Sequence, residues 1–192
     1  YTTLFRSIAD LVLRGARDRY ATAMFMPPSV RADALALFAF NIQLADIREH
    51  VSENMIGRIK LQWWRDAIAG MYEGKGAPKG NPITESLSTC IQRHQLDRTH
   101  FDGMLQTREK DMGDADEGPK TVADLETYAE GTASHLLCLT LTVLGAHGAE
   151  SHRAAKHAGI AYALTGLMRA VLFHAAHNRL YMPHDVLANA GL

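Results

Sequence analysis

Apolar residues recur at three- and four-residue spacing along almost the whole chain, and no segment alternates apolar with polar residues as a half-buried strand would. A chain patterned this way can bury its apolar stripes only by packing helix on helix. Turn residues divide the pattern. A first helix is predicted over residues 3–22, ending before Pro27-Pro28. Ser29 reads as the cap of a second helix reaching His50, and Ser52 as the start of a third ending near Gly74. The core stripe predicted for that third helix is Ile56, Ile59, Trp63 and Ala67, with Trp64 beside it. Residues 74–80 read as a loop. Asn81-Pro82 then starts a helix to His94, because proline at the first helical position has no amide to lose. Another helix runs from Arg98 to Met112. Thr121 with Asp124 forms a capping box for a long helix to Leu144, and Ser151 opens the last, reaching His177. No internal repeat is present. The expectation is an all-α bundle in one domain over residues 1–192.

Composition narrows the function classes. The 192 residues are 47% hydrophobic and 21% charged, ordinary for a globular domain with a real core. A net charge of -1 supplies no long-range attraction to nucleic acid or to an anionic bilayer. The longest apolar stretch, His135 to Ala146, is interrupted by threonines and falls short of the roughly 20 residues that span a membrane. Cys90 and Cys138 cannot form a metal cluster by themselves and read as buried, reduced thiols. The acidic loop 113–120 lacks the ligand order of an EF-hand. The chain begins at Tyr1. Arg6, Arg14, Arg17 and Arg19 give its first segment a transit-peptide flavour, but Asp10 and Asp18 point instead to an ordinary helix.

Two segments carry chemistry. One is Phe38-Ala39-Phe40-Asn41-Ile42-Gln43-Leu44-Ala45-Asp46-Ile47-Arg48-Glu49, where Ile42, Ala45, Asp46 and Glu49 fall on one helical face. The other is Thr165-Gly166-Leu167-Met168-Arg169-Ala170-Val171-Leu172-Phe173-His174, continuing to Asn178-Arg179-Leu180-Tyr181-Met182-Pro183. In order along the chain, with Pro27 ahead of Leu37 to Phe40, these segments resemble the squalene/phytoene synthase family, the head-to-head prenyltransferases. The resemblance implies an isoprenoid-synthase-type helical bundle, with the family's final helices expected to be lacking from this sequence. In such synthases acidic motifs on two facing helices hold Mg²⁺, a hard ion that prefers oxygen, against two prenyl diphosphates. Here the first motif is half present. Ala45-Asp46 stands for a pair of aspartates, Glu49 for the next, and Asn41-Ile42 for a Cys-Arg pair. In the second motif Gly166, Ala170 and Phe173-His174 replace an asparagine and the acids. The face of Gly166, Ala170, Phe173 and His177 has no carboxylate.

Leu61-Gln62-Trp63-Trp64-Arg65, Tyr128 to Ser134, and Arg169-Ala170 with Phe173-His174 are similar to the family's non-synthase branch. That branch includes a mitochondrial assembly factor for respiratory complex I and its bacterial relatives. The resemblance implies a protein of the mitochondrial matrix or bacterial cytoplasm, peripheral to the inner membrane, with a respiratory-complex subunit as partner. It also implies a pocket holding a prenyl diphosphate or lipid, lined by Asn41, Tyr128, Arg169, Arg179 and Tyr181, with no certain cofactor and Mg²⁺ only if catalysis survives. Arg169 either binds a phosphate or a partner carboxylate, or pairs with Asp46 or Glu49. Asp46 and Glu49 are candidate ligands for an ion. His174 and His177, one turn apart, form with Asp46, Glu49 and His50 a candidate transition-metal set. Of Trp63 and Trp64, one is expected in the core and the other at a membrane or partner surface. Tyr128 and Glu130, beside small residues, read as close helix packing or as pocket wall. The alternative function is an active squalene- or phytoene-type transferase.

Overall fold

The computed structural model describes residues 2–51, 53–113 and 118–191, and every regular element among them is helical. Ser52 and the centre of the acidic loop, 114–117, lie outside the described residues. The predicted first helix divides at Ala16 into α1 (Thr2–Gly15) and α2 (Arg17–Met24). Gly15 marks the division, and a Cβ added there would lie 3.1 Å from the Ile42 side chain. The central helix is α3 (Pro28–Glu49). All seven residues from Ala34 to Phe40 are buried, so α3 is surrounded on every side. Its cap is not Ser29. Pro28 takes the first helical position, and the Arg31 guanidinium donates back to the Met24 and Met26 carbonyls at 3.0 and 3.1 Å, closing the connection from α2.

The helix α4 (Asn54–Tyr72) corrects the predicted stripe. Its inward residues are Gly57, Leu61, Trp64, Ala67, Ile68 and Met71, whereas Ile56, Ile59 and Trp63 are exposed. Both sets have helical spacing. Positions 57, 61, 64, 68 and 71 alternate four and three residues, which keeps one face toward a neighbour for four turns. The Trp64 ring decides the matter by meeting Phe40 edge-on, 5.1 Å between centroids, and Phe40 in turn meets Phe101 at 5.6 Å. Trp64 is therefore the core tryptophan and Trp63 the exposed one.

The Asn81 side chain caps α5 (Pro82–His94), accepting from the Ile83 amide at 3.0 Å. Asp97 caps α6 (Arg98–Lys110) by accepting from Thr99 at 2.8 Å. The expected capping box of Thr121 and Asp124 opens α7 (Val122–Ala129). The long helix predicted from there is continuous, but Glu130–Ser134 is a π-turn, followed by α8 (His135–Val143). Such a turn inserts a residue and often accompanies a functional site. Two close approaches surround it. A Cβ on Gly131 would overlap the Thr107 side chain, and one on Gly159 would lie 2.5 Å from Ser134 Cα. The last long segment is α9 (Ala149–Arg169), which breaks at Ala170 before α10 (Val171–Ala176); α11 (His184–Asn189) follows.

A connected core runs from α1 to α8 around α3. The α9–α10 end is different: Tyr162, Met168, Val171, Leu172, Phe173, Leu180 and Val186 are all exposed. Among the described residues, no helix is long and apolar enough to cross a membrane.

Candidate functional site

The π-turn, α3, α6 and α9 line a half-open cavity of about 610 Å³. Asn41, Ala45, Arg48 and Glu49 reach it from α3, Arg108 from α6, and Thr165, Gly166 and Arg169 from α9. Asp111, Tyr128, His174 and Tyr181 complete the polar wall. An adjoining cleft of about 400 Å³ shares Arg48, Asp111, Tyr128 and Tyr181 and adds Arg179. Asn41, Tyr128, Arg169 and Tyr181 thus line the cavity and Arg179 the adjoining cleft, while Arg169 makes no ion pair with Asp46 or Glu49 among the described residues.

The centre of the wall is Asp111, whose side chain is only 4% exposed. It accepts from Arg108 Nη1 at 2.9 Å, from the Tyr128 hydroxyl at 2.8 Å and from the Tyr181 hydroxyl at 3.4 Å. Burial opposes the Arg108 charge, but Tyr128 and Asp111 outweigh it and hold the guanidinium's pKa above its ordinary value. Burial first, and the Asp111 charge second, push the Tyr128 and Tyr181 hydroxyls up, so both remain proton donors. Arg108 and Asp111 were not singled out from the sequence. The only signal was their i, i+3 spacing at the end of a helix.

The other two acids lining the cavity are more exposed, and each has a partner. Glu49 pairs with Arg179, and Asp18 accepts from the Tyr162 hydroxyl at 2.6 Å. Arg19 lies over the Tyr162 ring, 5.1 Å from its centroid, and burial lowers its pKa. Asp46 does not line the cavity. Burial raises its carboxyl pKa, with His50 opposing and Glu49 reinforcing the shift. His177 is also absent from the lining; its Nδ1 lies 2.8 Å from the Phe173 carbonyl oxygen. His174 does face the cavity and packs its ring on Tyr181 at 4.7 Å, but its buried Nδ1 has no hydrogen-bond partner.

Asp46, Glu49, His50, His174 and His177 do not gather into a ligand set, and the group of three such side chains that could hold an ion among the described residues is elsewhere: His100, Cys138 and His152. The residues also do not fit a magnesium clamp. A magnesium clamp takes oxygen ligands from carboxylates on the two facing helices together with substrate phosphates and water. The carboxylates lining the cavity are held by arginines and tyrosines, and Gly166 on the facing helix meets open space. What remains is a cavity with four arginines, Arg19, Arg48, Arg108 and Arg169, against three acids, Asp18, Glu49 and Asp111. Such a wall can receive an anion directly through guanidinium groups.

Known proteins agree with this architecture. A dehydrosqualene synthase crystal structure superposes with a TM-score of 0.84 at 21% identity, covering 100% of this chain and 65% of that one, which establishes a shared fold. Complex I assembly factor 6 of Rattus norvegicus is 32% identical over 183 residues, 95% of this chain and 54% of its own length. A presqualene diphosphate synthase of Rhodopseudomonas palustris is 29% identical over 90% of this chain and 60% of its own. The chain therefore spans little more than half the length of these relatives. Residues 12–192 match the family described as squalene/phytoene synthase, and the chain belongs to that family.

Proposed function

We propose that this is a non-catalytic member of the family, which retains the cavity as a binding site for a prenyl phosphate or an anionic lipid and acts in assembly of respiratory complex I. The observation that carries the reading is the engagement of every carboxylate lining the cavity. Ionising a prenyl diphosphate requires its developing charge to be neutralised by metal ions, and loss of one transition-state electrostatic contact slows chemistry by about 10²–10³-fold. Here the positions that would present those ions lack free acids, while Arg169, which makes no ion pair among the described residues, lines the cavity as a donor for a phosphate. Likeness to assembly factor 6 supports the assembly role. The matching location is the mitochondrial matrix or bacterial cytoplasm, peripheral to the inner membrane, with a respiratory-complex subunit as partner and Trp63 available for surface contact.

Likeness to presqualene diphosphate synthase favours a second reading, an active head-to-head prenyltransferase using Mg²⁺. Incubation with labelled farnesyl or geranylgeranyl diphosphate and Mg²⁺ separates the two. The proposal expects binding without condensation, and gene deletion that lowers complex I while leaving polyprenyl products intact. Steady condensed product, abolished by Asp46→Ala, overturns it.

A further inference from the structure

A second site lies at the other end of α6 from the cavity. His100 is in the first turn of α6, eleven residues before Asp111, which places it about 16 Å away along the helix. Cys138 comes from α8 and His152 from the first turn of α9. One ligand atom from each lies within 4.8 Å of the other two. The two histidines and the thiol therefore converge from three helices that share no local sequence.

Three features make this more than chance proximity. His152 Nε2 is buried and has no hydrogen-bond partner, an unfavourable state for a polar atom unless something else occupies its lone pair. The Cys138 sulfur is buried, with only a long 3.9 Å contact to the His152 carbonyl. His135, one turn before Cys138, places its Nδ1 3.0 Å from His100 Nδ1 and holds the His100 ring in position. Space for His135 is provided by Gly103, where a Cβ would lie 2.4 Å from His135 Nε2.

From this geometry we infer that His100, Cys138 and His152 form a Zn²⁺-binding site that ties the start of α9 to α6 and α8, with His135 as a positioning residue. The donors are two imidazoles and a thiolate, a set suited to borderline-soft zinc and unsuited to magnesium. Tetrahedral zinc holds nitrogen at about 2.0 Å and sulfur at about 2.3 Å, so neighbouring ligand atoms sit roughly 3.5 Å apart. Closing the present arrangement onto an ion requires movement of about 1 Å on its longest edge, within reach of side-chain rotation. Binding releases the thiol proton to solvent, and a water molecule supplies the fourth ligand. The site is independent of the cavity and of its ligand.

The test uses the full chain without a histidine tag, stripped with chelator and titrated with Zn²⁺ or Co²⁺ alone. One equivalent of zinc is expected by elemental analysis, with the melting midpoint raised by roughly 5–10 °C at saturating metal. Cobalt is expected to give a near-ultraviolet thiolate charge-transfer band and tetrahedral visible bands. Cys138→Ser and His152→Ala should abolish the band, while Cys90→Ala and His147→Ala retain it. Cys138→Ala, checked by circular dichroism, provides a folded thiol-free variant if the serine variant misfolds. Absence of stoichiometric metal, cobalt bound without a thiolate band, or a band that survives loss of the Cys138 sulfur each overturns the inference.

Discussion

Replacing Asp111 with alanine should be among the most damaging single changes on the cavity wall. The carboxylate is 4% exposed and its partner Arg108 16%, so neither charge is well hydrated. Removing Asp111 leaves Arg108 without its counter-ion and the buried Tyr128 hydroxyl without its 2.8 Å acceptor. Breaking one member of a buried ion pair typically destabilises by about 3–5 kcal/mol. Arg108 keeps slight solvent contact, which points to the lower end, about 3 kcal/mol, or a fall in melting midpoint of roughly 6–12 °C for a chain of this size. Urea denaturation followed by far-ultraviolet circular dichroism measures the difference directly. Two further variants apportion it. Asp111→Asn keeps an acceptor for Tyr128 while removing the charge, and should lose about half as much. Arg108→Met combined with Asp111→Leu removes both charges and should recover at least 1 kcal/mol relative to Asp111→Ala, since a buried pair is often matched by apolar replacement. If Asp111→Ala loses less than about 1 kcal/mol, the wall is hydrated and the claim that its carboxylate is committed fails.

Other perturbations check separate parts of the structure. Gly159→Val should destabilise by about 2–3 kcal/mol in thermal melts, because even its Cβ meets the Ser134 backbone, which cannot rotate away. Trp64→Ala should lose about 3–5 kcal/mol and Trp63→Ala less than about 1, reversing if the predicted α4 stripe were the true core. Burial first, and then Arg179, lowers the His174 pKa below its ordinary 6.5. The unfolded chain therefore binds the proton more readily. The stability contributed by neutral His174 is present above 6.5 and is lost as pH falls below it toward the lowered folded value. His174→Phe should flatten the stability profile over that acidic window; an unchanged slope would show that the ring is solvated in the folded state.

Local chemistry was legible without coordinates because it depends on neighbours in the chain. The Asn81-Pro82 start and the Thr121–Asp124 capping box rest on hydrogen bonds spanning three residues, and both appear as read. The degenerate motifs were equally legible, since a helix face without acids is a property of spacing alone. Which of two helical stripes on α4 turns inward was not. Ile56-Ile59-Trp63 and Leu61-Trp64-Ile68 are both apolar, and the choice was made by Phe40, far away in sequence. Likewise, Ser29 gave way to Pro28 because Arg31 reaches back to α2.

The same division runs through the sites. Sequence by itself determined that the chain is helical, that its first motif keeps Asp46 and Glu49, and that its second keeps no acid. Only tertiary packing decided that Asp46 lies outside the cavity, that Arg179 takes the Glu49 carboxylate, and that Arg108 and Asp111 form the centre of the wall. It alone brought His100, Cys138 and His152 from three helices to one point. The physical reason is range. Capping and periodicity act over a few residues along the chain, whereas ion pairing and metal ligation depend on which helices meet, and that is settled by burial summed over the whole core.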